Sequence, residues 1–409
     1  MEKKKTVLVG TGHRGIASYV SPIVCGHLSD AVALCGVYDA VKERAELCGK
    51  IYNVPVYDDF DKMLDAVKPD FVIVTCTDSA HHEYIIRALE AGYDVASEKP
   101  MTNTVERARA ILEAEKKSGK RVYVTFNCRY MQPFEDLKKV ISSGAIGDVR
   151  HVDLTWLLDR RHGTSYYRRW HGKMKYSNSL LLHKSTHHFD LVNWIIGKEP
   201  ESVFADCTQE FYGKNGAFRG KNCRNCDHTA ECPFYWDATK DSFDKQYFVD
   251  LEPYSGYCTD NCVFGEDVDI YDNMALLVKY TDGTTMNYSL TTYNSEEGSL
   301  FRFIGTKGRI EFSHIQSSHA GGYQNMAIKV YPVGAEPYEI PTEFGKGDHG
   351  GGDSKLRDDI FRGTSAEEDP LGRCASSYDG YLSLLIGALA VESAKSGKRE
   401  YRPADITKN

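Results

Sequence analysis

The chain has 409 residues, with 58 Asp and Glu against 50 Lys and Arg and a formal net charge of −8. That length exceeds one ordinary domain and suits two, each with enough core to stand without staples. The acidic balance and the lack of a basic tail argue against a nucleic-acid partner. Met1-Glu2-Lys3-Lys4-Lys5 runs straight into a β-branched stretch, and no apolar run is long enough for a bilayer. An unexported, cytoplasmic protein with no membrane partner is expected. Of its 12 cysteines, Cys35, Cys76 and Cys128 sit inside apolar runs, so reduced thiols are expected rather than bridges.

In chain order, Thr6–Val9 reads as a strand, followed by Gly10-Thr11-Gly12-His13-Arg14-Gly15 and an apolar helical stretch from Ile16. Strand, glycine turn and helix are what dinucleotide binding needs. The glycines admit a pyrophosphate to the backbone, and the helix N-terminus offers N–H groups and positive potential. Gly10, Gly12, His13, Arg14 and Gly15 are therefore candidate cofactor residues. A second strand, Ala31–Tyr38, ends at Asp39, whose carboxylate can accept ribose hydroxyls and repel a 2′-phosphate. That favours NAD, with NADP as the alternative because Lys42 and Arg44 lie close behind.

Helices around Asp59–Val67 and Ala80–Ala91 then alternate with strands Phe71–Cys76 and Tyr93–Ser97, which indicates parallel βαβ units. The last of these strands delivers Glu98 and Lys99, where Pro100 stops it by removing a backbone donor. Ligands of open α/β sheets bind at that carboxyl edge, so Lys99 is a candidate catalytic group. A helix Val105–Ser118 and a strand Arg121–Phe126 follow, then Asn127-Cys128-Arg129-Tyr130 and a connecting helix Pro133–Ser143.

From Val149 the pattern changes to successive strands, His151–Leu157, Ser202–Phe211, Ile270–Tyr280, Thr284–Tyr293, Leu300–Ile304, Gly308–Phe312 and Ala327–Pro332. Asp282-Gly283 and Lys307-Gly308 supply hairpin turns. The expected fold is α/β plus α+β: a Rossmann domain with a doubly wound parallel sheet over residues 1–130, then a domain over 131–409 built on a large, mainly antiparallel sheet. The second domain carries a Cys-rich insertion near 220–265 and a late helix, Tyr378–Ser396, that packs back.

Between the strands of the second half lies Leu180-Leu181-Leu182-His183-Lys184-Ser185-Thr186-His187-His188-Phe189-Asp190. On one helix His183, His187 and Asp190 share a face, at i, i+4 and i+7. A histidine there can take or return a hydroxyl proton near neutrality; the competing readings are a metal cluster and a satisfied polar core. Upstream, Tyr166-Tyr167-Arg168-Arg169-Trp170-His171 combines rings that stack on sugars with guanidinium groups that grip anions. Arg169 and Trp170 are candidate substrate contacts, with a subunit interface as the other reading. Cys223, Cys226, Cys232, Cys258 and Cys262 have a spacing that can hold a structural zinc, against free thiols.

Glu98-Lys99-Pro100 after a glycine-rich first turn resembles the signature of the Gfo/Idh/MocA family of nicotinamide-dependent oxidoreductases, and the resemblance runs through most of the chain. It implies that Thr77, His81, Glu98 and Asn127 border the cofactor, although Asp78 stands where the family turn usually has proline. It implies that Arg129 and Tyr130 border the nicotinamide and the substrate. It also implies that His187 is the catalytic histidine and Asp190 the acidic residue after it, while His183 and Ser185 replace the usual aspartate and glycine. The implied activity is hydride transfer between NAD and a secondary hydroxyl or ketone of a sugar, glycoside or cyclitol. His187 would be the acid/base, Lys99 would stabilise the reacting oxygen, and His183 would assist or bind substrate. Two alternatives follow from the same family: a glycoside hydrolase that recycles tightly bound NAD through transient oxidation and elimination, and a non-catalytic NAD-sensing regulator. The broad sheet implies a homo-oligomer, a dimer or tetramer.

Overall fold

The alternating first third of the chain folds as a parallel sheet whose carboxyl edge collects most of the motifs named above. The structure, a computed structural model, describes residues 2–317, 322–323, 326–365 and 367–403. Strands β1 (Lys4–Val9), β2 (Val32–Tyr38), β3 (Phe71–Val74), β4 (Asp94–Ser97) and β5 (Val122–Val124) lie in the order β2-β1-β3-β4-β5, all parallel. A short strand, Ala375–Ser376, adds antiparallel to β5. Every residue of β3 is buried, as the Phe-Val-Ile-Val run requires when helices cover both faces of a sheet.

Helix ends follow local chemistry. Asp59 caps Phe60–Val67 by accepting from the Lys62 N–H at 2.8 Å, and Thr104 starts Val105–Ser118, which stops at Gly119 with φ +69°. The helix Lys42–Tyr52 was not among the expected elements, because its buried residues, Ala45 and Cys48, are too few to make an apolar stripe.

From β1 the chain passes to β2 on one side and then to β3 on the other, so the order reverses at β1. In open α/β sheets ligands bind in the crevice at such a switch point. Gly10, with φ +94°, leaves β1 there. A Cβ on it would stand 2.6 Å from the Cys76 backbone nitrogen, so only glycine lets the two turns meet.

The second half holds a ten-stranded sheet. Its long members are β6 (Val149–Asp159), β7 (Pro200–Thr208), β8 (Asn273–Tyr280), β9 (Thr285–Asn294), β10 (Glu297–Gly305) and β11 (Gly308–Ser317). β6 pairs in parallel with β9, and the other pairings are antiparallel. β8 alternates buried and exposed residues along its length, the signature of one covered and one open face. An outer strand, Tyr338–Thr342, escaped the sequence reading because most of its residues are exposed and its pattern carries no apolar run.

The chain divides into two units that are not continuous in sequence. The first takes Met1–Phe126, Lys221–Asn261 and Asp353–Tyr381; the second takes Asn127–Gly220, Cys262–Gly352 and Leu382–Asn409. The expected single break near Tyr130 thus meets a first unit that also gathers most of the Cys-rich insertion and the helix Gly352–Arg362 from residue 353 onward. No helix among the described residues is long and apolar enough to cross a membrane.

Candidate active site

In the first unit, the glycine turn and the Glu98-Lys99-Pro100 turn are joined by a charge network in which Glu98, Tyr19 and Asp353 are buried and Arg14 is partly exposed. Glu98 Oε1 accepts from Arg14 Nε at 2.8 Å and from the Tyr19 hydroxyl at 2.7 Å. Arg14 also donates from Nη1 and Nη2 to Asp353 at 3.0 and 3.3 Å. Burial alone would push the Glu98 carboxyl up, but the charges of Arg14 and Lys99 and the Tyr19 hydroxyl hold it below the usual carboxylate range. Arg14 and Glu98, both read as cofactor residues, therefore spend their side chains on each other. Tyr19 and Asp353 were not singled out; Asp353 lies too far along the chain for spacing to reveal it.

Asp39 binds the glycine turn directly. Its Oδ2 accepts from the Thr11 N–H at 2.8 Å and the Thr11 hydroxyl at 3.1 Å, and its Oδ1 accepts from the Val41 N–H at 2.8 Å. Arg44 Nη1 stands 3.5 Å from the same Oδ1.

His81 is buried, with Nδ1 2.9 Å from the Pro100 carbonyl and Nε2 3.0 Å from the Cys76 carbonyl. The ring thus faces a carbonyl acceptor on each side. It ties the turn after β3 to the turn after β4, a structural task where the resemblance implied a cofactor contact. Burial pushes the Asp78 carboxyl up to about 7, against the pull of the His81 and Lys99 charges. Thr77 lies in the same turn and does not cap the following helix, whose N-cap is Ala80.

In the second unit, the single helix expected through 180–190 is broken. Leu180–His183 ends at Lys184, with φ −100° and ψ −49°, and Ser185–Ile196 starts afresh. His183 thus closes one segment while His187 and Asp190 ride the next. This corrects the one-helix face argument, because a break at Lys184 interrupts the 3.6-residue phase. His187 and Asp190 are both buried. Asp190 is gripped by Arg129 through Nε–Oδ2 at 2.8 Å and Nη2–Oδ1 at 2.5 Å, with 3% and 1% of their side chains exposed. These two residues, expected at the substrate, form instead a dry bidentate pair that pins the His187 helix to the Asn127–Tyr130 turn. Asn127 and Tyr130 are buried in that turn.

Rings surround His183. Its ring centroid lies 4.3 Å from His171, 5.4 Å from Trp170 and 5.7 Å from Tyr166, and Trp170 stacks on His171 at 3.8 Å. Arg169 precedes this cluster as the cap of Arg160–Arg168. Behind Tyr166 runs a hydrogen-bonded chain: Glu297 Oε1 to His162 Nδ1 at 2.9 Å, and His162 Nε2 to the Tyr166 hydroxyl at 2.9 Å. The carboxylate fixes the imidazole with Nδ1 protonated, which leaves Nε2 to accept the phenol proton. Glu297 gave no sequence signal, since it only meets His162 once β10 has paired.

The expected zinc site is not formed. Among the described residues no three His, Cys, Asp or Glu side chains converge for a metal ion. The insertion is held by ion pairs: Arg224 binds Asp260 through Nε at 3.0 and 3.1 Å and also grips Glu252, while the Cys258 thiol donates to Asp260 at 3.1 Å. Cys262 falls in the other unit. Cysteine spacing cannot show that an arginine cross-links this insertion.

Comparison with known proteins decides the family. Residues 4–126 match the description "Oxidoreductase family, NAD-binding Rossmann fold", and residues 134–311 match "GFO/IDH/MocA C-terminal domain". YteT of Bacillus subtilis (strain 168) is 36% identical over 408 residues, covering 94% of both chains. The chain belongs to the Gfo/Idh/MocA oxidoreductase family. The D-glucoside 3-dehydrogenase of Escherichia coli (strain K12) is 28% identical over 193 residues, 47% of this chain and 54% of that one. Among solved structures, the WlbA dehydrogenase from Bordetella pertussis, in complex with NADH and UDP-GlcNAcA, superposes with a TM-score of 0.68 at 18% identity, covering 99% of this chain and 100% of that one.

As a Gfo/Idh/MocA protein this chain has an NAD-binding Rossmann unit, and its residues fit a dinucleotide. A Cβ built on Gly12 would meet nothing within 4 Å, so the backbone at the turn faces open space. The Asp39 carboxylate stands at the end of β2 with its Oδ2 already on the turn, where ribose hydroxyls are read in such folds.

Proposed function

We propose that this oxidoreductase transfers hydride between NAD(H) and a secondary hydroxyl, or the matching ketone, of a sugar, glycoside or cyclitol. The observation that carries the reading is the Tyr19–Glu98–Arg14–Asp353 network, which fixes the chain at Glu98 and so holds Lys99 at the carboxyl end of β4. NAD is the preferred cofactor because a carboxylate at Asp39 accepts from a free 2′-hydroxyl and repels a 2′-phosphate.

Nicotinamide, when bound, supplies a ring carbon that accepts or gives hydride. Lys99 hydrogen-bonds the reacting oxygen of the substrate and stabilises negative charge as it builds there. The Lys99 charge pulls on the Asp78 carboxyl against the effect of its burial, which couples the lysine to the turn after β3. His187 takes the hydroxyl proton in oxidation and returns it in reduction. The Arg129–Asp190 pair keeps the His187 helix from turning. Trp170, His171 and Tyr166 around His183 offer ring faces to a sugar, and Arg169 beside them suits a carboxylate or other anionic substituent. The sugar-acting names of the relatives support this substrate class.

The protein works in the cytoplasm as a homo-oligomer, without nucleic-acid or membrane partners. Self-association is favoured by Phe204, Leu300 and Ile304, large apolar residues left exposed on the ten-stranded sheet. Purified protein incubated with sugars and nitrophenyl glycosides, with 340 and 400 nm recorded together, tests the chemistry. Growth at 340 nm on added NAD supports the dehydrogenase. Growth at 400 nm alone, with NAD released only on denaturation, would replace it with glycoside cleavage through recycled NAD.

A further inference from the structure

Residues 221–261 sit far along the chain yet belong to the dinucleotide-binding unit. Their neck is closed by a bridge between Asn222 and Asn261 and by the Cys223 N–H on the Asp260 carbonyl at 2.8 Å. From that neck the segment Ser242–Val249 brings three aromatic residues against His13 of the glycine turn and Arg44 behind Asp39. On one side, the Phe243 ring meets His13 edge-on at 5.1 Å, and Tyr247 stacks on Phe243 at 4.4 Å. On the other, the Tyr247 carbonyl accepts from Arg44 Nε at 3.3 Å, and the Arg44 guanidinium lies 5.2 Å from the Phe248 ring centroid. Tyr247 is 2% exposed, so this is a packed surface.

The insertion thus touches both the glycine turn, at His13, and the helix behind Asp39, at Arg44, the two elements that read the adenosine ribose in this fold. Arg44 is the cation that a 2′-phosphate would need. In this fold an arginine behind the second strand is what accommodates that group. Here its guanidinium is held by three partners: the Asp39 carboxylate at 3.5 Å, the Tyr247 carbonyl and the Phe248 face. Lys42, the other basic residue behind Asp39, pairs with Glu46 at 3.4 Å on an exposed helix face.

We propose that residues 241–250 of the Cys-rich insertion form the outer wall of the adenosine end of the dinucleotide site. They select NAD over NADP by holding Arg44 against Asp39, and they slow cofactor release through Phe243. The inference rests on the NAD-binding reading of the glycine turn and adds to it a segment from the far side of the chain. A 2′-phosphate has to pull Arg44 from all three partners before it gains a cation, and it still meets the Asp39 charge. A free ribose hydroxyl disturbs none of them.

The test uses the full chain. NADH and NADPH affinities are measured by fluorescence titration, and NADH release by stopped flow, for the wild type, Phe248→Ala and Phe243→Ala, with thermal unfolding as the fold control. Phe248→Ala is expected to narrow the NADH preference about 10-fold, mainly through tighter NADPH binding, the size of one desolvated cation–π contact. Phe243→Ala is expected to speed NADH release about 10-fold. If Phe248→Ala unfolds, Phe248→Leu, which keeps the bulk and removes the ring, gives the same reading. Affinities and release rates within twofold of wild type in folded variants overturn the inference while leaving the NAD site intact. A wild type that binds neither dinucleotide overturns the NAD reading and the wall with it.

Discussion

At the carboxyl edge of the parallel sheet, the charged groups that define the turns are held by one another: Arg14 by Glu98 and Asp353, Asp39 by Thr11, Val41 and Arg44, and His81 by two carbonyls. Around His183 the side chains meet through ring faces and edges, and a hydrogen-bonded chain there ends on the Tyr166 hydroxyl. The difference suits two tasks. A dinucleotide is the same in every turnover, so its site gains from a backbone locked by buried charge. A sugar pocket is defined by shape, and rings in van der Waals contact can be exchanged without stranding a buried charge. Arg129–Asp190 is the exception in the second region, a dry ion pair under the helix that carries His187.

The largest effect should come from the edge of the sheet. Lys99→Met is expected to lower kcat about 10²–10⁴-fold with NADH affinity within a few-fold of wild type, read by turnover and fluorescence titration side by side. A parallel fall in NADH affinity would show that the lysine serves the fold of the turn instead. Next, Arg129→Met leaves the Asp190 carboxylate buried without its guanidinium, and should cost about 3–5 kcal/mol of stability by chemical denaturation. Adding Asp190→Leu should recover much of that loss; if it does not, the pair is valued for something other than charge balance.

In the ring cluster, Tyr166→Phe keeps the ring contacts with His183 and His171 and removes the end of the Glu297–His162 chain. A fall of about 10-fold in kcat, with little change in KM, would mark the hydroxyl as part of proton handling, and Glu297→Gln should reproduce part of it. Equal kinetics in both variants would reduce the chain to a helix staple. The smallest effect concerns Asp78. Its carboxyl titrates near 7 in the fold against a usual 3.8, so the fold prefers the protonated form. The corresponding stability is fully present below about pH 4 and is lost as pH rises through about 7. The difference in unfolding midpoint between wild type and Asp78→Asn, measured from pH 4 to 8, should therefore slope across that window. A flat difference would mean that Asp78 titrates as an ordinary exposed aspartate.

The sequence alone determined the parallel and antiparallel halves, the glycine turn, Asp39, the position of Lys99 and the buried histidine stretch. Each is written in neighbouring residues: alternation, apolar runs, Gly and Pro at turns, a carboxylate at a strand end. Tertiary structure decided what those side chains touch. Arg14 meets Asp353, and Glu297 meets His162, only after strands and helices distant in the chain have packed. Arg129 and Asp190 hold each other because a buried charge is costly without a partner, so two residues that the family resemblance placed at the substrate form a clamp. The break at Lys184 and the Arg224–Asp260 cross-link of the Cys-rich insertion belong to the same class. Spacing along a chain names the groups available, whereas burial and pairing in three dimensions determine which of them is left to do chemistry.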